Sequence, residues 1–151
     1  MQYLGVRCTN KDCCYVVLTG DYENPVLLKR NEIRFPKDFS RPKTLQWFYR
    51  EIEGLIQTEE IDLIVMKGME PMADKNSTTA QHRTENEAIV LLCAENAGIF
   101  VDRVVDASIS AKLGGERKYK RKQNYAACVE KFGDADDKTK EAILAAWVKM
   151  N

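Results

Sequence analysis

The sequence contains no long apolar run and no excess charge of either sign, and each absence excludes a class of protein. No stretch approaches the roughly 20 apolar residues that cross a bilayer, and the N-terminus has a strand pattern rather than that of a secretory leader. Lysine plus arginine and aspartate plus glutamate both total 23, so the net charge is +0. We therefore expect no membrane association, a cytoplasmic location, and no general attraction to nucleic acid, which would need a local basic patch.

Histidine is scarce, and the cysteines do not follow a metal-binding pattern. His82 is the one histidine, which excludes a catalytic pair of histidines. The five cysteines form no CxxC pair, and adjacent Cys13 and Cys14 point to opposite faces of a strand, which is poor geometry for one metal ion. The odd count predicts reduced structural thiols. The sequence thus predicts no bound cofactor and no metal.

What the sequence does contain is enough apolar residues for one core. The chain has 151 residues, of which 44% are hydrophobic, and this predicts a single domain over residues 1–151. β-branched and aromatic runs predict a hairpin and a third strand, and Ser40 followed by Pro42 predicts the start of a helix. These elements are expected at residues 2–9, 12–19, 26–35 and 40–59.

The second half of the chain predicts a strand, a helix, a strand and three further helices. A short, mostly apolar run is typical of a strand buried on both faces, and Thr84 to Glu87 has the spacing of a capping box at a helix start. The elements are expected at residues 61–66, 85–96, 99–105, 106–112, 120–131 and 138–150. The order predicts an α/β fold: a five-stranded mixed sheet, three strands antiparallel and then two parallel, with helices on both faces.

This order and several short segments resemble the RuvC-type Holliday junction resolvases and their relatives in the ribonuclease H-like superfamily. The matching segments are YLGV at residues 3–6, DLIVM at 62–66, SAKLG at 110–114 and AILAA at 142–146. The resemblance implies a ribonuclease H-like fold. It also implies four metal-holding carboxylates: one in the first strand, one at the end of the fourth, and two at the start of the last helix. Carboxylates suit Mg²⁺ because it prefers oxygen ligands.

The chain departs from that pattern in both strands and at one of the two positions in the last helix. Arg7 follows Gly5-Val6 in the first strand, and Lys67 ends the fourth. In the last helix two alignments with the family's pair of carboxylates remain open. Either alignment puts one acid and one lysine at the two positions. The residues of this degenerate site are Arg7 and Lys67, with Asp137 and Lys140 in one alignment or Lys138 and Glu141 in the other.

Basic residues stand where the resemblance implies carboxylates, and this predicts a site that holds no Mg²⁺ and cleaves no nucleic acid. At an effective dielectric of about 20, two unit charges about 4 Å apart interact by about 4 kcal/mol, and a divalent ion beside a guanidinium faces roughly twice that in repulsion. Arg7 and Lys67 are expected to form an internal ion pair with Glu141, or with Asp137 in the other alignment. Two alternatives remain open: the two cations form a phosphate pocket, or both lie on the surface.

A basic run near the C-terminal third is a candidate nucleic-acid contact. Its basic side chains could bind a phosphate backbone while its tyrosine stacks on a base, although such runs are also common in solvated loops. The run consists of Arg117, Lys118, Tyr119, Lys120, Arg121 and Lys122. A relocated acidic site is the competing candidate, and it would use Glu70, Asp74, Glu87 and Asp106.

These observations predict a RuvC-like domain that is inactive as a nuclease and works by binding a nucleic acid or a protein partner. A homodimer is also open, because the family often dimerises through helices. The alternative is a metal-dependent nuclease or phosphohydrolase that uses the relocated acidic site.

Overall fold

The sheet has five strands in the order β3-β2-β1-β4-β5, which confirms the predicted mixed sheet. β1 pairs antiparallel with β2, β2 antiparallel with β3, β1 parallel with β4, and β4 parallel with β5. In this computed structural model, residues 1–114 and 121–151 are described. The strands are β1 (Tyr3–Cys8), β2 (Asp12–Gly20), β3 (Pro25–Arg34), β4 (Leu63–Lys67) and β5 (Phe100–Val104).

Helices cover both faces of the sheet. One apolar cluster joins one face of β1 and β2 to α1 and α2, and a second joins the other face to α3, α4 and α5. The helices are α1 (Arg41–Thr58), α2 (Thr78–Ala97), α3 (Asp106–Gly114), α4 (Arg121–Phe132) and α5 (Asp137–Trp147). Within residues 1–114 and 121–151, no helix is both long and apolar enough to cross a membrane.

Gly5 allows α5 to pack unusually close to the centre of the sheet. A Cβ atom at this position would overlap the carbonyl oxygen of Ala142 and crowd the Cβ atom of Ala146 at 3.0 Å. The absence of a side chain on β1 therefore brings the α5 backbone against the strand. This contact places the residue before Ala142, Glu141, over the end of β1.

The start of α2 corrects one prediction. The capping box predicted a helix from residue 85, but α2 begins at Thr78, where the Ser77 side chain accepts a hydrogen bond from the Ala80 amide at 3.1 Å. Thr84 lies inside the helix, and its hydroxyl donates to the Ala80 carbonyl at 3.0 Å. A serine seven residues earlier caps the helix equally well. His82 accordingly lies within α2 rather than before it.

Candidate functional site

The site forms where β1 and β4 end side by side. Val6 pairs with Met66 in the parallel ladder, so the next residues, Arg7 and Lys67, emerge together at the carboxyl edge of the two strands. The carboxyl edge of parallel strands is where open α/β sheets commonly bind ligands. The structure thus brings together the two basic residues that the sequence singled out.

Arg7 is held by a carboxylate from the last helix. Its Nε donates to Oε2 of Glu141 at 2.8 Å, and its Nη1 donates to the Cys8 carbonyl. The Glu141 side chain is 7% exposed and that of Arg7 is 18% exposed. A charge pair so poorly hydrated is costly to break, because removal of one partner leaves the other unpaired.

Lys67 lies among three carboxylates that come from three separate parts of the chain. Its Nζ is 2.8 Å from Oε1 of Glu70, 3.6 Å from Oδ1 of Asp106 and 3.9 Å from Oε1 of Glu141. It also donates to the Gly68 carbonyl at 3.2 Å, and its side chain is only 3% exposed. The ammonium therefore occupies the point on which these acids converge.

Asp106 extends the network to α4. Its Oδ2 is 2.7 Å from Nε of Arg121, and its backbone amide donates to Glu70 Oε1 at 2.9 Å. Burial opposes ionisation of Asp106, but the hydrogen bond from Arg121 and the charge of Lys67 outweigh it and lower the pKa of this carboxyl.

We name this network the Lys67 cluster. Its three cations and three carboxylates give a net formal charge of zero. Its members are Arg7, Lys67, Glu70, Asp106, Arg121 and Glu141. A site with this composition neutralises itself without an external ion.

A second buried pair lies beside the cluster. Nε of Arg83 is 3.0 Å from Glu87, and Nη2 of Arg83 donates to the Lys67 carbonyl at 3.0 Å. Arg103 approaches the other oxygen of Glu87 at 3.6 Å. Burial and the positive charge of Arg7 lower the pKa of the Arg83 guanidinium. The Arg7 and Arg83 guanidinium groups therefore lie close enough to repel each other at this end of β1 and β4, and each is paired with a carboxylate.

The remaining residues of the last helix point to other partners. Lys140 is 3.7 Å from Asp137 and 3.5 Å from Asp134, and Lys138 is 3.6 Å from Asp12. The sequence left two alignments of the last helix open. The structure places Glu141, from the alignment of Lys138 and Glu141, at the site. Asp137, Lys138 and Lys140 form their ion pairs outside the Lys67 cluster.

The basic run is described only at its end. Residues 117–120, which include Arg117, Lys118, Tyr119 and Lys120, lie outside the described residues. Arg121 is the first residue of α4 and belongs to the Lys67 cluster, and Lys122 is exposed.

The donor set does not fit a divalent ion. Glu70, Asp106 and Glu141 supply oxygen ligands, but the Lys67 ammonium already lies between them. Among residues 1–114 and 121–151 no group of three or more histidine, cysteine, aspartate or glutamate side chains is arranged to hold a metal ion. The two divalent ions that the resemblance implies thus have no suitable place among these side chains.

Sequence reasoning missed part of this site. It named Glu70 and Asp106 only as members of a separate acidic site, and it did not single out Arg83. Glu70 lies three residues after Lys67, a spacing that could have suggested a pair. The contacts of Asp106 and Arg83 depend on how α3 and α2 pack against the sheet, so no local pattern reveals them.

The sheet order and the covering helices define a ribonuclease H-like fold. Among solved structures, the chain is similar to RuvC of Thermus thermophilus, with a TM-score of 0.83 and 10% identity over 98% of this chain and 92% of that chain. RuvC of the same organism in complex with Holliday junction substrate gives a TM-score of 0.81 at 10% identity, covering 98% and 91%. The yeast mitochondrial Holliday junction resolvase gives 0.65 at 11% identity, covering 97% and 76%.

The fold is therefore that of the RuvC-type resolvases, as the sequence predicted. The sequence itself matches no protein-family model. It is also not significantly similar to any curated protein.

Proposed function

We propose that this chain is a RuvC-like protein that binds nucleic acid and does not cut it. The observation that carries the proposal is the Lys67 cluster, in which basic side chains near the end of β1 and at the end of β4 are bound by carboxylates of the same chain. One of the structures of similar fold is RuvC bound to a Holliday junction. Branched DNA is therefore the first ligand to test.

Contacts to phosphate would come from the basic run, because the Lys67 cluster is neutral. The basic run contains five basic residues, and its described end, Arg121, is bound to Asp106 at 2.7 Å. Arginine and lysine that contact phosphates release counterions from DNA, and an aromatic side chain such as Tyr119 can stack on an unpaired base. The run is thus the candidate contact, and its described residue Arg121 belongs to the Lys67 cluster.

The alternative function, a nuclease with a relocated acidic site, has less support. Of its four candidate acids, Glu70 and Asp106 converge on the Lys67 ammonium. Glu87 is bound to Arg83 and Arg103, and Asp74 accepts a hydrogen bond from the Asn76 amide at 2.9 Å. Each acid is already engaged with a group of this chain, which favours binding over metal-dependent cutting.

A salt-dependent titration tests the proposal. Fluorescent four-way junction, duplex and single-stranded DNA would be titrated with the protein between 50 and 200 mM salt, and the anisotropy recorded. Four to five phosphate contacts predict a slope of log affinity against log salt of about −4. Binding that does not weaken with salt would contradict contact through the basic run.

A pair of matched variants locates the contact. Lys118→Gln with Lys122→Gln removes two charges from the run. Lys43→Gln with Arg50→Gln removes two exposed charges from α1, on the face of the sheet opposite α4. The first double variant should make the slope less negative by about 2. The second should leave it unchanged, and an equal loss in both would contradict the assignment.

A further inference from the structure

We propose that the Lys67 ammonium is an internal cation that takes the structural place of a divalent ion. The three carboxylates around it come from the connection after β4, the first residue of α3 and the second turn of α5. One cation thus ties three elements to the end of the sheet. This inference does not depend on nucleic-acid binding.

The Lys67 ammonium is surrounded by oxygen atoms, as a bound cation is. Among the described residues, Glu70, Asp106 and Glu141 each bring a carboxylate oxygen within 4 Å of Nζ, and the Gly68 carbonyl lies at 3.2 Å. Only 3% of the lysine side chain is exposed. A charge so far from water is costly to bury unless it is paired and hydrogen-bonded, and here the carboxylates supply both kinds of contact.

The surrounding charges explain why a single positive charge is sufficient. Three carboxylates around one ammonium leave an excess of two negative charges. Arg7, bound to Glu141 at 2.8 Å, and Arg121, bound to Asp106 at 2.7 Å, supply the two missing positive charges. Removal of the Lys67 ammonium would leave a cavity lined by oxygen atoms with one net negative charge. Hard divalent cations such as Mg²⁺ and Mn²⁺ prefer that donor set.

The inference predicts that a shortened side chain at Lys67 creates a divalent-cation site. Lys67→Ala should unfold at a lower temperature than wild type in EDTA. Added MnCl₂ should raise its Tm in a saturable way that corresponds to one ion per chain, because a ligand that binds only the folded state stabilises it. Wild type should show the same Tm in EDTA and in MnCl₂.

Two control variants separate a specific site from general effects. Lys67→Ala combined with Glu141→Gln loses one of the three carboxylates, and its Tm should respond little to MnCl₂. Lys29→Ala breaks an ion pair of equal length, Lys29 to Glu59 at 2.8 Å, in a more exposed setting. Its Tm should not respond to MnCl₂. No response in Lys67→Ala, or an equal response in wild type, would overturn the proposal.

A measurement on the wild-type chain keeps the proposal testable if Lys67→Ala does not fold. The buried, hydrogen-bonded ammonium of Lys67 should exchange its protons with water slowly enough to give a resolved ¹⁵N–¹H signal, unlike an exposed lysine. Glu70→Gln removes its charged partner at 2.8 Å and should speed the exchange. A Lys67 signal that exchanges as fast as those of surface lysines would overturn the proposal.

Discussion

Replacement of Glu141 by glutamine should destabilise the fold far more than loss of an ordinary ion pair. Glu141 binds Arg7 at 2.8 Å and lies 3.9 Å from the Lys67 ammonium, and its side chain is 7% exposed. Glutamine keeps the shape but removes the negative charge, so two largely buried cations lose a counterion. Removal of one partner of a buried pair costs about 3–5 kcal/mol.

Urea denaturation measures this cost directly. With a slope of about 2 kcal/mol per molar urea, a loss of about 4 kcal/mol lowers the midpoint by about 2 M. The matched control is Glu59→Gln, which breaks the Lys29 pair of the same length, 2.8 Å, with side chains 42% and 21% exposed. Exposed pairs contribute little to stability, so the control midpoint should move little.

A double-mutant cycle shows whether the cost is that of an unpaired charge. Arg7→Met combined with Glu141→Leu removes both charges of the 2.8 Å pair and replaces them with apolar groups. It should be less destabilised than the sum of the two single variants, because such a pair can often be replaced by apolar side chains at little cost. A loss below about 1 kcal/mol for Glu141→Gln, equal to that of the surface control, would refute this reasoning.

Three further predictions concern packing, acid stability and thiol chemistry. Gly5→Ala should lower the free energy of unfolding by about 1–3 kcal/mol in urea, since its Cβ atom would overlap the Ala142 carbonyl; an unchanged midpoint would disprove the close contact. Asp136 caps α5, and hydrogen bonds from Thr139 lower its pKa, so its contribution is complete above pH about 4 and is lost as the pH falls below that value. Asp136→Ala should therefore cost about 1 kcal/mol at pH 7 and progressively less in acid, and a cost that stays constant down to pH 2 would contradict the cap. Burial raises the pKa of Cys14 and of Cys93 to about 11, so a maleimide at pH 8 should label them slowly in the native chain and quickly in urea; equal rates would show that these thiols are accessible.

Much of the fold could be predicted because the sequence pattern agrees with the final packing. The order of strands and helices follows from apolar periodicity and from cap residues, and the sheet order then follows from the preference for short connections. The start of α2 was wrong because Ser77 and Thr84 offer two valid caps in the same polar segment. Only the contacts of the folded chain decide between them.

The candidate site was predictable in part. The family resemblance placed Arg7 and Lys67 at one site, and Glu141 was one of two named partners; in the structure both residues lie near the ends of neighbouring strands. The sequence did not decide which residues of α5 face the site. In the structure α5 begins after Asp136, whose side chain accepts a hydrogen bond from the Thr139 amide at 2.8 Å, and this start places Glu141 at the site. The approach of Asp106 to Lys67 is a contact between segments about 40 residues apart, which no local spacing signals.

The most direct test of the proposed function is an incision assay on a four-way junction with wild-type protein and Mg²⁺ or Mn²⁺. Binding and cutting would be followed in the same samples, on native and denaturing gels. The proposal predicts a salt-sensitive complex and no incision product, because basic side chains occupy the positions where metal-holding acids are implied. Metal-dependent incision that disappears in Glu141→Ala would contradict it.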